Sequence, residues 1–124
     1  YINLDRRNDR NDRIIQELKL INNIPIKRIS AIDKNDLDMN KLIEEKYINE
    51  KTSLRLGQIA CIFSHIKVWE EFLNSNYDYC IILEDDIKIN KKYFNEKFFL
   101  ILNEFNNIDC DWLYLGRNNL NHDI

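Results

Sequence analysis

Glu84, Asp85 and Asp86 stand side by side directly after the apolar run CIIL. Three adjacent carboxylates repel one another, so holding them beside a buried strand is unfavourable unless a cation or hydrogen-bond donors compensate. Their hard oxygens suit Mg2+ or Mn2+, ions that commonly keep open positions for phosphate oxygens. A metal bridging a diphosphate would neutralise charge as that group leaves. Taken alone, such a triplet is more plainly a solvated acidic turn. Its place at the carboxyl end of a predicted strand, where open α/β sheets bind ligands, favours the metal. Strand-end acids also hold Mg2+ in phosphatases, nucleases and receiver domains, and spacing does not separate these classes.

The elements that must position this triplet follow from periodicity. Residues 1–4 read as a short buried strand, and Ile14, Leu18 and Ile21 then recur at helical steps, with Asp9, Asn11 or Asp12 as candidate caps. Pro25 closes that helix, and residues 26–32 alternate as a second strand ending at Asp33, which completes a β-α-β unit. Residues 36–51 are polar and of mixed charge, with Leu37, Leu42 and Ile43 marking a loose helix. From Gly57, a core-packed helix is predicted with Ile59, Ile62, Phe63, Ile66, Trp69 and Leu73 on its buried face. Residues 77–83 end in a continuous apolar run, as a strand covered on both faces requires. Phe94, Phe98, Ile101, Leu102 and Phe105 predict a further helix, and 111–116 a further strand with Gly116 as its turn residue. Strands alternating with helices imply an α/β, largely parallel sheet.

At 124 residues and 44% apolar content the chain is expected to build one domain, and neither a linker-like segment nor a repeat divides it. The net charge of −3 comes from interspersed acids and bases without a basic face, which argues against nucleic acid as a partner. No apolar run approaches the roughly 20 residues that span a bilayer. Cys61, Cys80 and Cys110 are widely spaced in apolar surroundings and contain no C-x-x-C pair, so they read as small core side chains. His65 and Trp69, four apart, share a helix face at the margin of the apolar stripe. Trp69 reads as core, and His65 as a hydrogen-bonded residue able to orient the carboxylates or a substrate hydroxyl.

Five segments in register, YINLDRRNDR at 1–10, RISAID at 28–33, LGQIACIFSHIKVW at 56–69, IILEDDI at 81–87 and DWLYLGR at 111–117, resemble glycosyltransferase family 25. The family holds bacterial lipooligosaccharide galactosyltransferases, procollagen galactosyltransferases and related collagen-modifying enzymes of giant viruses, and DWLYLGR leans toward the collagen-modifying branch. The resemblance implies a GT-A-like Rossmannoid sheet with helices on both faces, of which 1–124 is the N-terminal, donor-binding part. It also implies metal-dependent, inverting transfer of galactose or glucose from a UDP-hexose, with Mn2+ or Mg2+ as cofactor. The acceptor would be a hydroxyl of a glycan or collagen-like chain, hydroxylysine among them.

Carried over position by position, Glu84-Asp85-Asp86 is similar to the family's D-x-D motif, although it departs from a strict Asp-x-Asp. Asp86 is then the expected metal ligand, Glu84 contacts metal or ribose, and Asp85 supports either. Asn3, Asp5, Arg6, Arg7 and Asp33 are the implied nucleotide contacts, the arginine fork being suited to phosphate oxygens. Arg10 and Arg13 read equally well as a solvated helix start with local ion pairs. Gly57, Ser64, His65 and Trp69 belong to the family's second block, Gly57 permitting a tight turn or close approach of a ligand. An inverting transfer also needs a base near the acceptor hydroxyl. That base is expected beyond Ile124, with His65 as the secondary candidate, and the tail with His122 and Asp123 reads as solvated loop. A catalytically silent sugar-nucleotide-binding or scaffold module, and a Mg2+-dependent phosphohydrolase, are the competing readings.

Overall fold

The computed structural model describes residues 1–21, 24–109 and 111–116. They belong to two units, Tyr1–Ile89 and Asn90–Ile124. Cys110, Arg117, His122 and Asp123, which entered the sequence expectations, lie outside the described residues.

In the first unit, strands β1 (Ile2–Asn3) and β2 (Ile29–Ser30) pair in parallel, Ile2 opposite Ile29 and Asn3 opposite Ser30. The Ile29 N–H donates to the Tyr1 carbonyl at 2.7 Å and the Ala31 N–H to that of Asn3 at 3.0 Å. On the other edge of β1, the Ile2 N–H donates to the Leu83 carbonyl at 2.9 Å, and Ile2 bridges Glu84 in parallel. Thus β1 lies between β2 and the start of the acidic triplet. Ile2, Ile29 and Val68 form the core here, with Ala31 and Ile82 packed against it.

The strands are shorter than their sequence patterns suggest. The predicted strand over 77–83 contributes only its C-terminal end, because a two-residue β1 offers little edge to pair with. Tyr79 and Cys80 are exposed, and residues 81–83 are half-buried instead of covered on both faces. Residues 111–116 form no strand, and Trp112, Leu113, Tyr114 and Leu115 are exposed. What stands is a mixed α/β architecture with a small parallel sheet.

Helix α1 (Asn8–Leu18) buries Ile14 and Leu18, two of the three residues its spacing marks; Ile21 lies beyond the helix end and is half-buried. Its predicted side-chain cap is missing: the helix starts after Arg7 without one, and Asp9 lies inside the first turn, where a carboxylate complements the helix dipole. The polar stretch divides into a 3-10 turn (Lys34–Asp36), capped by Asp33, and the short α2 (Met39–Glu44), capped by Asp38. Lys46 follows with φ at 62°, a left-handed conformation ending the segment without glycine.

Helix α3 (Leu56–Leu73) forms where predicted, and the side-chain oxygen of Gln58 in its first turn accepts from the N–H of the N-cap Arg55 at 2.9 Å. The buried face differs from the expected one. Ile59, Ala60, Ser64 and Val68 are buried, whereas Ile62, Trp69 and Leu73 are exposed. Small Ala60 and Ser64 let the helix approach the chain leaving β2 closely enough for the Ile32 N–H to donate to Ser64 Oγ at 2.9 Å, a contact bulky apolar residues would block. Gly57 sits in the first turn of the helix, not in a turn before it.

In the second unit, α4 (Lys91–Phe105) follows its predicted periodicity, with Phe94 and Phe98 stacked at 4.5 Å between ring centroids. Among the described residues no helix is long and apolar enough to cross a membrane.

Candidate functional site

The acidic triplet divides by burial. Asp85 is buried, whereas Glu84 and Asp86 are exposed, so the middle carboxylate turns inward and its neighbours face solvent. Three residues of the N-terminal segment hold it there. Asn3 Nδ2 donates to Asp85 Oδ2 at 2.8 Å, Arg10 Nη1 to Asp85 Oδ1 at 2.8 Å, and Arg13 Nη2 to the Asp85 carbonyl at 3.2 Å. A buried carboxylate with charge-assisted donors on both oxygens is compensated as burial of a charge demands. Arg10 also stands 3.7 Å from Asp86 Oδ2, across the exposed side of the turn.

Asn3 is the hub of this arrangement. Only 1% of it is exposed. Its Nδ2 also donates to the Arg7 carbonyl at 3.3 Å, and its Oδ1 accepts from Arg28 Nε at 3.1 Å and Nη2 at 2.9 Å. Arg28 reaches on to Asp5 Oδ1 at 2.6 Å, and Ser30 Oγ donates to Asp5 Oδ2 at 2.6 Å. Those bonds, from Ser30 first and then Arg28, hold the Asp5 carboxyl below the usual carboxylate range. Arg6 pairs with Asp33, whose carboxyl is likewise depressed by that guanidinium and by the Asn35 N–H. Arg7 forms a fork with Asp9, at 2.8 and 2.7 Å, which draws Asp9 down to about 2.

The sequence-predicted residues therefore fall into three groups. Asn3 and Asp85 meet directly in the interior. Asp5, Arg6, Arg7 and Asp33 surround the same end of the sheet, each already engaged by an oppositely charged or hydroxyl partner. Glu84 and Asp86 remain outward, and Glu84 Oε1 lies 3.2 Å from His65 Nε2. Arg10 and Arg13 do more than pair locally. Both reach the triplet across more than seventy residues of chain. Arg28 and Ser30 were not among the expected site residues; their two-residue spacing, with Arg28 just before β2 and Ser30 in it, is the signal that could have found them.

A cavity of about 160 Å3 opens beside the triplet, lined by Asn3, Arg10, Gly57, Cys61, His65 and Glu84 among others. A methyl group on Gly57 would make only an ordinary contact with the Lys34 side chain at 3.9 Å, so packing does not require glycine in this wall. Cys61 and Cys80 are exposed, contrary to their reading as core side chains. Partial burial of the Cys61 sulfur, reinforced by the Glu84 carboxylate, pushes its thiol up. Cys61, His65 and Glu84 bring their ligand atoms within 4.8 Å of one another.

The profile of glycosyltransferase family 25 (LPS biosynthesis protein) matches residues 1–121. The chain is 31% identical over 126 residues to procollagen galactosyltransferase 2 of Mus musculus, covering 94% of this chain and 20% of that protein. It is 28% identical to a glycosyltransferase 25 family member of Aedes aegypti, over 98% of this chain and 21% of the relative. Procollagen galactosyltransferase 1-A of Xenopus laevis is 27% identical over the same shares. The chain thus spans about a fifth of the length of these curated relatives. No solved structure matches.

Proposed function

The chain belongs to glycosyltransferase family 25, and from that membership we propose that it forms the donor side of a hexosyl transfer, from a UDP-hexose to an acceptor hydroxyl, within a GT-A-type sheet. The names of its relatives point to galactose as the sugar and to a collagen-type acceptor. Inversion at the transferred carbon belongs to the same proposal, as the family resemblance implies.

The observation that carries this reading is the inward turn of Asp85, which leaves Glu84 and Asp86 as an outward carboxylate pair at the end of the segment bridging β1. Their hard, exposed oxygens fit Mn2+ or Mg2+, and Asp86 with Glu84 would hold it. Such an ion, when bound, offsets the charge of a diphosphate. The remaining work falls to the chain's own residues. Arg10 and Asn3 fix the backbone of the triplet through Asp85, so the outward pair is positioned before a donor arrives. Asp5 and Asp33, kept ionised by their partners, are acceptors suited to ribose hydroxyls, and Arg6 and Arg7 are the cations nearest in sequence for phosphate oxygens.

Calorimetric titration of UDP with Mn2+ and with chelator tests the reading. Mn2+ is expected to tighten UDP binding about tenfold or more, and Asp86→Ala to remove that gain. UDP binding indifferent to Mn2+, or unchanged in Asp86→Ala, would count against it. One observation favours a second reading, a donor-binding module without transfer. His65, the candidate base within the chain, is directed at Glu84. Mn2+-dependent UDP binding with no galactosyl transfer to a collagen peptide would select it.

A further inference from the structure

We propose that Cys61, His65 and Glu84 form a site for a thiophilic divalent cation of the Zn2+ class, which differs in its donor set from the hard carboxylate pair while sharing Glu84 with it. Cys61 and His65 are four residues apart on α3, hence on adjacent turns of one rigid helix face, and Glu84 approaches them from the end of the segment bridged to β1. Their sulfur, imidazole nitrogen and carboxylate oxygen all lie within 4.8 Å of one another, and His65 Nε2 is 3.2 Å from Glu84 Oε1. Around tetrahedral Zn2+ with bonds of about 2.0–2.3 Å, neighbouring ligand atoms stand about 3.3–3.6 Å apart. Small side-chain rotations therefore close the set around an ion.

The donor types decide which ion. A thiolate and an imidazole prefer Zn2+ over Mg2+ or Mn2+, and the affinity order of divalent metals at nitrogen and sulfur donors points the same way. Cys61 and Glu84 are exposed and all three line one cavity, so an entry path exists and a fourth position is left open to water or another ligand. Binding releases the thiol proton to solvent as the sulfur takes the metal. Asp86 is not a member of this group. A soft cation here would draw Glu84 away from the outward carboxylate pair and tie α3 to the acidic turn.

The site stands independently of sugar transfer, and its test needs no donor. The whole chain, stripped with chelator, is titrated with Co2+ and then with Zn2+. A thiolate-to-cobalt charge-transfer band saturating at one equivalent and bleached by Zn2+ is expected. Cys61→Ser should abolish the band, and His65→Gln, at a position that does not depend on the sulfur, should weaken Zn2+ binding about tenfold or more. Asp86→Asn should leave Zn2+ affinity unchanged, which separates this site from the Mn2+ pair. Far-ultraviolet circular dichroism establishes that each variant is folded, and His65→Gln carries the test should Cys61→Ser not fold. Absence of the band in the parent chain, or Zn2+ affinity unaltered by the ligand substitutions, overturns the assignment.

Discussion

Asn3→Leu is the most informative single substitution. Leu keeps the branched shape of Asn but can neither donate nor accept, so four hydrogen bonds disappear at a position only 1% exposed. The bond to Asp85 is charge-assisted, and its loss, leaving a buried carboxylate oxygen without its donor, is expected to cost about 1.5–3 kcal/mol. The two bonds from Arg28 count for less, because that side chain is 36% exposed and regains water. They add about 0.5–1 kcal/mol. The expected destabilisation is therefore about 2–4 kcal/mol, which at roughly 4 °C per kcal/mol for a chain of this size lowers the melting temperature by about 8–16 °C. Urea and thermal unfolding followed by far-ultraviolet circular dichroism, together with hydrogen exchange at the Ile2 amide beside the triplet, measure the loss. A loss below about 0.5 kcal/mol, the range of inconsequential surface changes, would refute the claim that Asn3 holds the triplet in place.

Ser64→Ala removes the acceptor for the Ile32 N–H and the donor to the Ala60 carbonyl, and should destabilise by about 1–2 kcal/mol in the same unfolding experiment. Asp33 should titrate, by carbon-detected NMR, with a midpoint below the usual carboxylate range, and Arg6→Gln should move it back up. Since its folded-state pKa is depressed, its contribution to stability is present above the unfolded carboxylate pKa and is lost as pH falls through the folded one.

Much of this arrangement was readable in residue order, and the failures have specific causes. The placement of Glu84-Asp85-Asp86 beside β1 agrees with the apolar run before it, although that run meets the sheet only through the Ile2–Glu84 bridge, and α1, α3 and α4 followed from their periodicity. The inward turn of Asp85 depends on donors in the N-terminal segment, Asn3 lying 82 positions away, and no local pattern contains that information. Apolar bulk marks Ile59 correctly on the buried face of α3 but not Ile62, Trp69 or Leu73, because close approach to the sheet selects small Ala60 and Ser64. Cys61 reads as a small core side chain from its apolar sequence neighbours, yet it is exposed in the cavity wall. Strand lengths were overstated because alternation records which residues tolerate pairing, while pairing itself needs an equally long neighbour.

The bonds that hold Asp85 join the two ends of the first unit, spanning 82, 75 and 72 positions. Closing a loop of that length is an entropic step shared with the Ile2–Leu83 backbone bond, and it comes late when a chain folds by gathering local contacts first. Helices α1 and α3 can therefore form while the acidic turn is still unassembled, so helical content is a poor proxy for an intact site. Conversely, local opening that releases residues 81–86 from β1 dissolves the carboxylate geometry without melting either helix. Hydrogen exchange at the Ile2 amide, which donates to Leu83, reports that opening directly.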